Sequence, residues 1–589
     1  MKRLSILLAV AIVFLLAAVL NSRRADRIER YRPGDWVSFG VTRYVNAVAV
    51  GPQYTYFGSS EGLLRYDFFR NTWQAPYTTS DGLADNQIIA VAYDVGTGFL
   101  WCSTRAGVSS MHPSSYRWTN YSKLIINISS QDEIVSIGIG RQSVWFETNS
   151  GRLFKVGKLG SIIVAADNAA NDDIVWFGAR TARPKLFPRF FVPAGYVFDP
   201  AGVFQDFRLR RADVTEFVRD KFDSFWMGTW GLGAWRANVH LERAELLNFG
   251  LAQRRVDALA FDEHGLWIGG YNEKLPNADN EIRGVTYWRN PSTDAVGPNE
   301  WQYYEARYNM DMSSDEINRF EISGGKVYCA TEEGVNIYDS KKDRWRRLAS
   351  KSRILSGRVN DVALYDGFIW AATDFGLYRI TTRSSKGKDT VGVAEVLPKQ
   401  LLNVAIYDLE RTENLLWMGT RFGAFVYDMA KDTGGFLSDT QGPHGERTVT
   451  VSASDSLVWF GTTYGIEVFD IENKVWLNPP ARQQFSGANI NLSPPARPQF
   501  SNANSTSACQ QPRSVNINYV LAQPEAVWVG TDAGVFKYNR ARKDWRQFTC
   551  EDGLIDNRVN AIAVQDDWIW FGTPSGLTAF RWNDPHRID

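Results

Sequence analysis

The 589-residue chain has little cysteine, little histidine and no excess of either charge. Four Cys over this length cannot build a disulfide scaffold. The five His fall in no HExxH or other zinc spacing, and no CxxCH haem site occurs. Formal net charge is zero, with 65 basic and 65 acidic residues intermixed. A nucleic-acid binder needs a basic face to neutralise phosphates, so that class is not expected. After residue 20 no apolar run reaches spanning length, which leaves no second membrane segment. Aromatics, by contrast, make up 14% of the chain, with 22 Trp beside 48 Gly. That pairing suits an all-β repeat protein with a large core and many tight turns.

A short pattern recurs through the chain. Leu416–Asp428 reads LWMGTRFGAFVYD: an apolar residue and Trp lead into Gly-Thr, then come a loose turn, Gly and an alternating apolar run. Two short strands joined by a tight turn give this pattern, with Gly423 supplying the backbone freedom. Related stretches begin at Tyr54, Leu100, Val144, Val175, Phe225, Leu266, Val327, Ile369, Val458, Val527 and Ile569, making twelve copies. The regular Trp-to-Trp spacing is 41 to 47 residues, a propeller-like period. The gap from Trp145 to Trp176 is only 31, which reads as a blade missing its outer strand. An alternating apolar strand precedes many copies (VNAVAV from Val45, VNDVALY from Val359, VNAIAV from Val559), and a strand with Trp follows them (Trp73, Trp345, Trp545). Each unit is therefore four antiparallel strands, a propeller blade that buries its faces only against neighbouring blades.

The expected architecture is an all-β chain of about twelve blades in two rings of six or seven. The lone strand Asp35–Phe39 resembles Asp544–Phe548 and is expected to complete the last blade, hiding its edge and interleaving the rings. Residues 34–310 are read as the first set of blades and 311–589 as the second, with 478–514 an inserted loop. Residues 1–33 hold a short basic start and the apolar run Leu4–Leu20, a signal peptide or N-terminal anchor. No small-residue cleavage site follows, which favours the anchor. Arg23, Arg24, Arg27, Arg30 and Arg32 would hold that flank in the cytoplasm by the positive-inside tendency. Export is still the expectation, because such runs at an extreme N-terminus are usually export signals.

Between units, SDGLADNQI (Ser80–Ile88) recurs as EDGLIDNRV (Glu551–Val559). Together with W-x-G-T-x-x-G this resembles the two-component regulator propeller repeat, over nearly all of residues 34–583. The resemblance implies a periplasmic propeller that senses or binds, often a glycan. It departs from that family's sensor kinases in having no kinase part after the last blade.

The Gly-Thr and DGLxDN elements are read as turn chemistry rather than as sites. No catalytic residue, cofactor or metal ligand is assigned. If a ligand binds, the turns between second and third strands converge on one face, near the channel. Their variable residues include Arg105, Arg180, Trp230, Tyr271, Arg421, Tyr464 and Asp532, with Phe422 beside Arg421. Arg with Trp and Tyr can stack on and hydrogen-bond a sugar or an anionic polymer. Cys509 and Cys550 could pair in an oxidising compartment. The leading function is a non-catalytic envelope module binding a glycan or partner proteins. Its rivals are a propeller-type polysaccharide lyase or hydrolase, and a structural subunit using Asn478–Ser514 and Arg180–Phe191 as contacts.

Overall fold

A computed structural model describes residues 31–158, 160–169, 173–181, 184, 186–271, 282–348, 357–385, 388–395, 399–437, 447–477, 515–584 and 587. Among them the chain forms eleven antiparallel sheets and only short 3-10 turns of helix. No described helix is long and apolar enough to cross a membrane; residues 1–30, where the anchor was expected, lie outside the described residues.

The repeated hairpin shows why its residues recur. In Leu415–Thr420 paired with Gly423–Asp428, Thr420 faces Gly423 across the turn. The Thr420 hydroxyl donates to the Gly423 carbonyl at 2.7 Å and accepts from the Phe422 backbone N–H at 3.1 Å. Thr331, Thr373, Thr462, Thr531 and Thr573 donate in the same way. Gly423 needs its φ of +113°, which L side chains rarely adopt. Trp417 is buried against Phe460 and Phe469 of the next blade. The DGLxDN segments are turn chemistry too. Asp81 accepts from Thr78 N–H and Asn86 from Thr79 N–H; Asp552 and Asn557 repeat both bonds with Thr549 and Cys550.

In chain order the blades span 45–77, 88–122, 134–166, 196–247, 258–304, 317–347, 359–395, 406–436, 448–477, 517–548 and 561–581, here called blades 1 to 11. The first strands of blades 5 to 11 pack each on the next, and that of blade 11 packs back on that of blade 5. This is a closed seven-bladed propeller. Trp36–Phe39 is its last outer strand, pairing Trp36 with Phe580 and Phe39 with Leu577, as the N-terminal strand pattern predicted. The all-β propeller expectation therefore stands.

Blades 1 to 4 form a second, smaller group, in which the first strand of blade 1 packs on that of blade 2 and on Arg211–Arg219 of blade 4. The grouping differs from a division at residue 310. Blade 5 touches both blade 6 and blade 11, so the chain starts in the seven-bladed ring, leaves it for blades 1 to 4, and re-enters after Leu247. The Val175 copy is not a blade that lost its outer strand. Val175–Gly178 pairs with the inner edge of Ile134–Ile139 and packs against the first strands of blades 1 and 2. Glu216 of blade 4 accepts from Gly178 N–H and the Thr181 hydroxyl, which ties this axial strand to the remaining blade. Its sequence continues TARPKLFPRF, where Pro184 and Pro188 lack the N–H groups that a partner strand would donate.

The two groups share a core of Phe39, Trp73, Trp226, Phe249, Trp288, Trp301 and Trp570. Ala295–Val296 of blade 5 adds a strand to blade 1, pairing with Gln74 and Trp73. Arg210 pairs with Asp206 at 2.7 Å and with Glu305 at 3.0 Å, all three buried.

Adjacent blades are also clasped by the Asn of the VN pattern. The side-chain amides of Asn46, Asn318 and Asn360 each donate at 2.8 Å to the first carbonyl of the next blade's inner strand: Ile88, Val359 and Ile406. Asn518 does the same to Val559 at 3.1 Å. Asn360→Ala leaves a buried carbonyl without its donor and is expected to cost about 1–3 kcal/mol; equilibrium urea unfolding reads it, and an unchanged midpoint would remove the clasp from the account.

Candidate ligand-binding face and channel

Because the strands run up and down, turns between second and third strands and blade-to-blade connections share one end of each blade. On that face of the seven-bladed ring, three consecutive blades place an aromatic side chain at the same turn position. Phe375, Phe422 and Tyr464 are 66%, 52% and 44% exposed. The hairpin staple places them there: each backbone N–H donates to the Thr two residues earlier, which turns the side chain away from the sheet. Arg421 lies 5.8 Å from the Phe422 ring and Arg447 lies 4.4 Å from the Tyr407 ring. Rings and guanidinium groups interleaved in this way can stack on a ligand and hydrogen-bond its oxygens.

Beneath this rim, the third residue of each inner strand faces the Gly or Ala of the Gly-Thr strand. These residues are Ala258, Arg319, Asp361, Asp408, Thr450, Tyr519 and Ala561. Arg319 reaches Asp408 at 3.3 Å and lies 4.8 Å from the Tyr519 ring. Asp361 accepts from Leu409 N–H and Asp408 from Val451 N–H, so each caps an inner-edge amide of the next blade. Burial and the neighbouring Asp408 push Asp361 well above the usual carboxylate range. Burial would lower Arg319, but Asp408, Tyr519 and Asp361 outweigh it and hold the guanidinium charged.

Two residues further along the same strands, Glu410 is pushed up to about 8, first by burial and then by Asp408 and Glu321. Glu321 is also raised by burial. A carboxyl whose folded pKa is raised keeps a proton that the unfolded chain releases. Stability therefore falls as pH rises from the ordinary glutamate value of 4.5 towards 8. The thermal midpoint is expected to drop across that window and E410Q to flatten the drop; a slope identical in E410Q would refute the assignment.

The sequence-derived site residues are not assembled in one place. Arg105, Arg180 and Trp230 belong to the smaller group. Arg180 is held by Glu147 through two 2.5 Å bonds and sits on Trp176, and Trp230 packs on Tyr44. Tyr271, Arg421, Tyr464 and Asp532 belong to the seven-bladed ring. Asp532 accepts from Asn516 and Asn518 and so works as part of a blade clasp. Arg421 and Tyr464 do share an arc, on blades 8 and 9. Phe375 and Arg447 were not singled out, although T-x-(Phe/Tyr)-G in three consecutive copies (TDFG, TRFG, TTYG) carries the signal. Cys102 and Cys329 are buried thiols, whereas the Cys509–Cys550 pairing turns on a residue outside the described ones. Among the described residues no group of three or more His, Cys, Asp and Glu side chains could hold a metal ion.

These features define a β-propeller repeat protein with an aromatic rim over a charged channel. No protein-family model and no curated protein matches the chain. Among solved structures it is similar to PorZ, a bacterial surface component of the type-IX secretion system of Porphyromonas gingivalis. That match has a TM-score of 0.54 at 12% identity, over 93% of this chain and 87% of that one. It is also similar to extracellular domains of B. thetaiotaomicron proteins named as hybrid two-component systems, the class of protein that the repeat resembles. For BT4673 the identity is 15%, covering 92% of this chain and 70% of the other, with a TM-score of 0.43. For BT3049 the identity is also 15%, covering 92% and 76%, with a TM-score of 0.39. At these identities the likeness concerns the fold.

Proposed function

We propose that this chain is a non-catalytic, extracytoplasmic recognition module that binds a carbohydrate on the rim of its seven-bladed ring. The observation that carries the reading is the arc of Phe375, Phe422 and Tyr464 on adjacent blades, with Arg421 and Arg447 between them. Aromatic faces stack on the apolar faces of sugar rings, and arginine donors fit hydroxyl and carboxylate oxygens. Export rests on the apolar run Leu4–Leu20 and agrees with the extracellular domains that share the fold. A glycan array probed with the purified chain is expected to give a restricted set of hits that F375A/F422A/Y464A loses at unchanged melting temperature. Release of cleaved products from a hit would replace this reading with a polysaccharide lyase or hydrolase. Hits that survive the triple variant would move the site elsewhere.

A second reading, a subunit of a surface assembly, draws on the likeness to PorZ, named as a secretion-system surface component. Leu186 and Phe191, in or beside the Arg180–Phe191 segment, are 68% and 72% exposed, and exposed apolar side chains of this kind suit a protein contact. A stoichiometric partner that L186S/F191S releases, with no glycan hit, would favour it.

A further inference from the structure

Two junctions of the seven-bladed ring carry the same ion pair on the rim. Glu332, the residue after the hairpin threonine of blade 6, meets Arg358, which leads into the first strand of blade 7, at 3.3 Å. Asp532 of blade 10 meets Arg558, which leads into blade 11, at 3.4 Å. The junction of blades 8 and 9 has the arginine of this pair, Arg447, but in the place of the acid it has Arg421. The backbone shows that the places are equivalent. The N–H groups of Glu332, Asp532 and Arg421 each donate to the carbonyl of the residue before their own blade's first strand. Those residues are Glu316, Asn516 and Ala405, at 3.3, 3.1 and 2.9 Å.

Two cations thus take the two ends of what is elsewhere a salt bridge. Both side chains are exposed, and among the described residues neither guanidinium makes an ion pair or a hydrogen bond. Like charges in facing positions repel. An anion between them removes the repulsion and gains charge-assisted hydrogen bonds from both. A second departure falls at the same junction. The bulged second residue of the inner strand is Asn318, Asn360 and Asn518 in blades 6, 7 and 10, where it clasps the next blade. In blade 8 it is Tyr407, whose ring instead lies 4.4 Å from the Arg447 guanidinium. A ring face at that distance holds the cation without spending any of its N–H donors.

We propose that Arg421 and Arg447 bind the acidic group, a carboxylate or a sulfate, of a charged sugar, with Phe422 and Tyr464 stacking on the units beside it. The sugar rests on the carbohydrate reading above, whereas the anion site rests on the reversed ion pair alone. The occupant is therefore an acidic glycan, and neutral glycans lack the group that the two arginines face.

The test is binding of the purified full-length chain to immobilised polygalacturonate, alginate and dextran sulfate, with galactan and dextran as neutral counterparts. Saturable binding to an acidic polymer and none to the neutral ones is expected. Binding confined to polygalacturonate or alginate identifies a carboxylate, and binding confined to dextran sulfate identifies a sulfate. R421Q and R447Q should each weaken binding about 10- to 100-fold. R421E rebuilds the ion pair of the other junctions, so it should abolish binding and melt at or above the wild-type temperature. Y407N, which offers the Asn of the other blades, should weaken binding about 3- to 10-fold. Acidic-polymer binding unchanged in R421E and R447Q would overturn the anion site. Equal binding of neutral and acidic polymers, lost in F375A/F422A/Y464A, would overturn it too and leave the carbohydrate reading standing. No binding to any polymer would overturn both.

Discussion

Trp36→Ala is expected to lower the unfolding free energy by about 3–5 kcal/mol, among the largest effects available to a single substitution here. Trp36 is 3% exposed and stacks on Phe580 at 4.0 Å, with Phe548 and Phe571 around it and Tyr31 edge-on. Truncation removes that burial and opens a cavity at the one seam where the ring closes non-covalently. The strand carries more than its Trp. Val37 and Phe39 belong to the core shared by the two groups of blades. The Ser38 hydroxyl bonds Thr578 at 2.9 Å on one side and Ser80 at 2.7 Å on the other, joining blade 11 to the first DGLxDN turn. Deleting residues 35–39 would also bare the edge of Gly576–Arg581, a template for aggregation. Urea unfolding of W36A, with hydrogen exchange over 561–581, reads the effect. A midpoint equal to wild type would mean that blade 11 stands without its outer strand.

Arg319→Met should cost a comparable amount, about 3–5 kcal/mol, because it removes the cation that buried acidic groups face. Asp408 and Asp361 would then confront each other in the channel with only amides and the Thr450 hydroxyl to answer them. The loss should grow as pH rises and Asp361 ionises, and be smaller at mildly acid pH, where Asp361 keeps its proton more readily. Asp408→Asn in the same chain should restore part of the stability, since a neutral amide no longer needs the cation. The double-mutant cycle isolates the pair. A cycle with additive costs would mean that Arg319 acts through its packing on Tyr519 alone.

Much of the fold was legible because it is local. Thr420 and Gly423 sit three residues apart and make their staple within one turn, so each recurrence of that chemistry shows as a recurrence of a word. The Asn clasp shows similarly, as VN at the start of inner strands. The outer strand at Trp36 was readable because it lacks partners in its own neighbourhood and matches the fourth strand of another blade. The Val175 copy misled for the same reason that the others informed. VWFGAR is a good strand wherever it lies, and only the inner edge offered by Ile134–Ile139 decided that it would become a fifth strand rather than a blade.

The candidate sites divide along the same line. Each rim aromatic is visible in its own hairpin, but the arc exists because blades 7, 8 and 9 are neighbours in the closed ring. Arg319 and Asp408 lie 89 residues apart, on blades that do not even touch in sequence order. Nothing local to INR or IYD announces that one charge will answer the other.

The sequence by itself determined the repeating unit, its turns and its core aromatics, since each depends on hydrogen bonds and burial within about forty residues; the strand that closes the last blade was legible only through its likeness to Asp544–Phe548, because its partner strand lies at the far end of the chain. Only the tertiary structure decided that seven blades close around one channel while four others group about an axial strand, that blade 5 joins the ring of blade 11, and which charges meet on the axis. Those outcomes depend on how many sheets fit around a common centre, and packing of whole blades, not the preference of any one of them, sets that number.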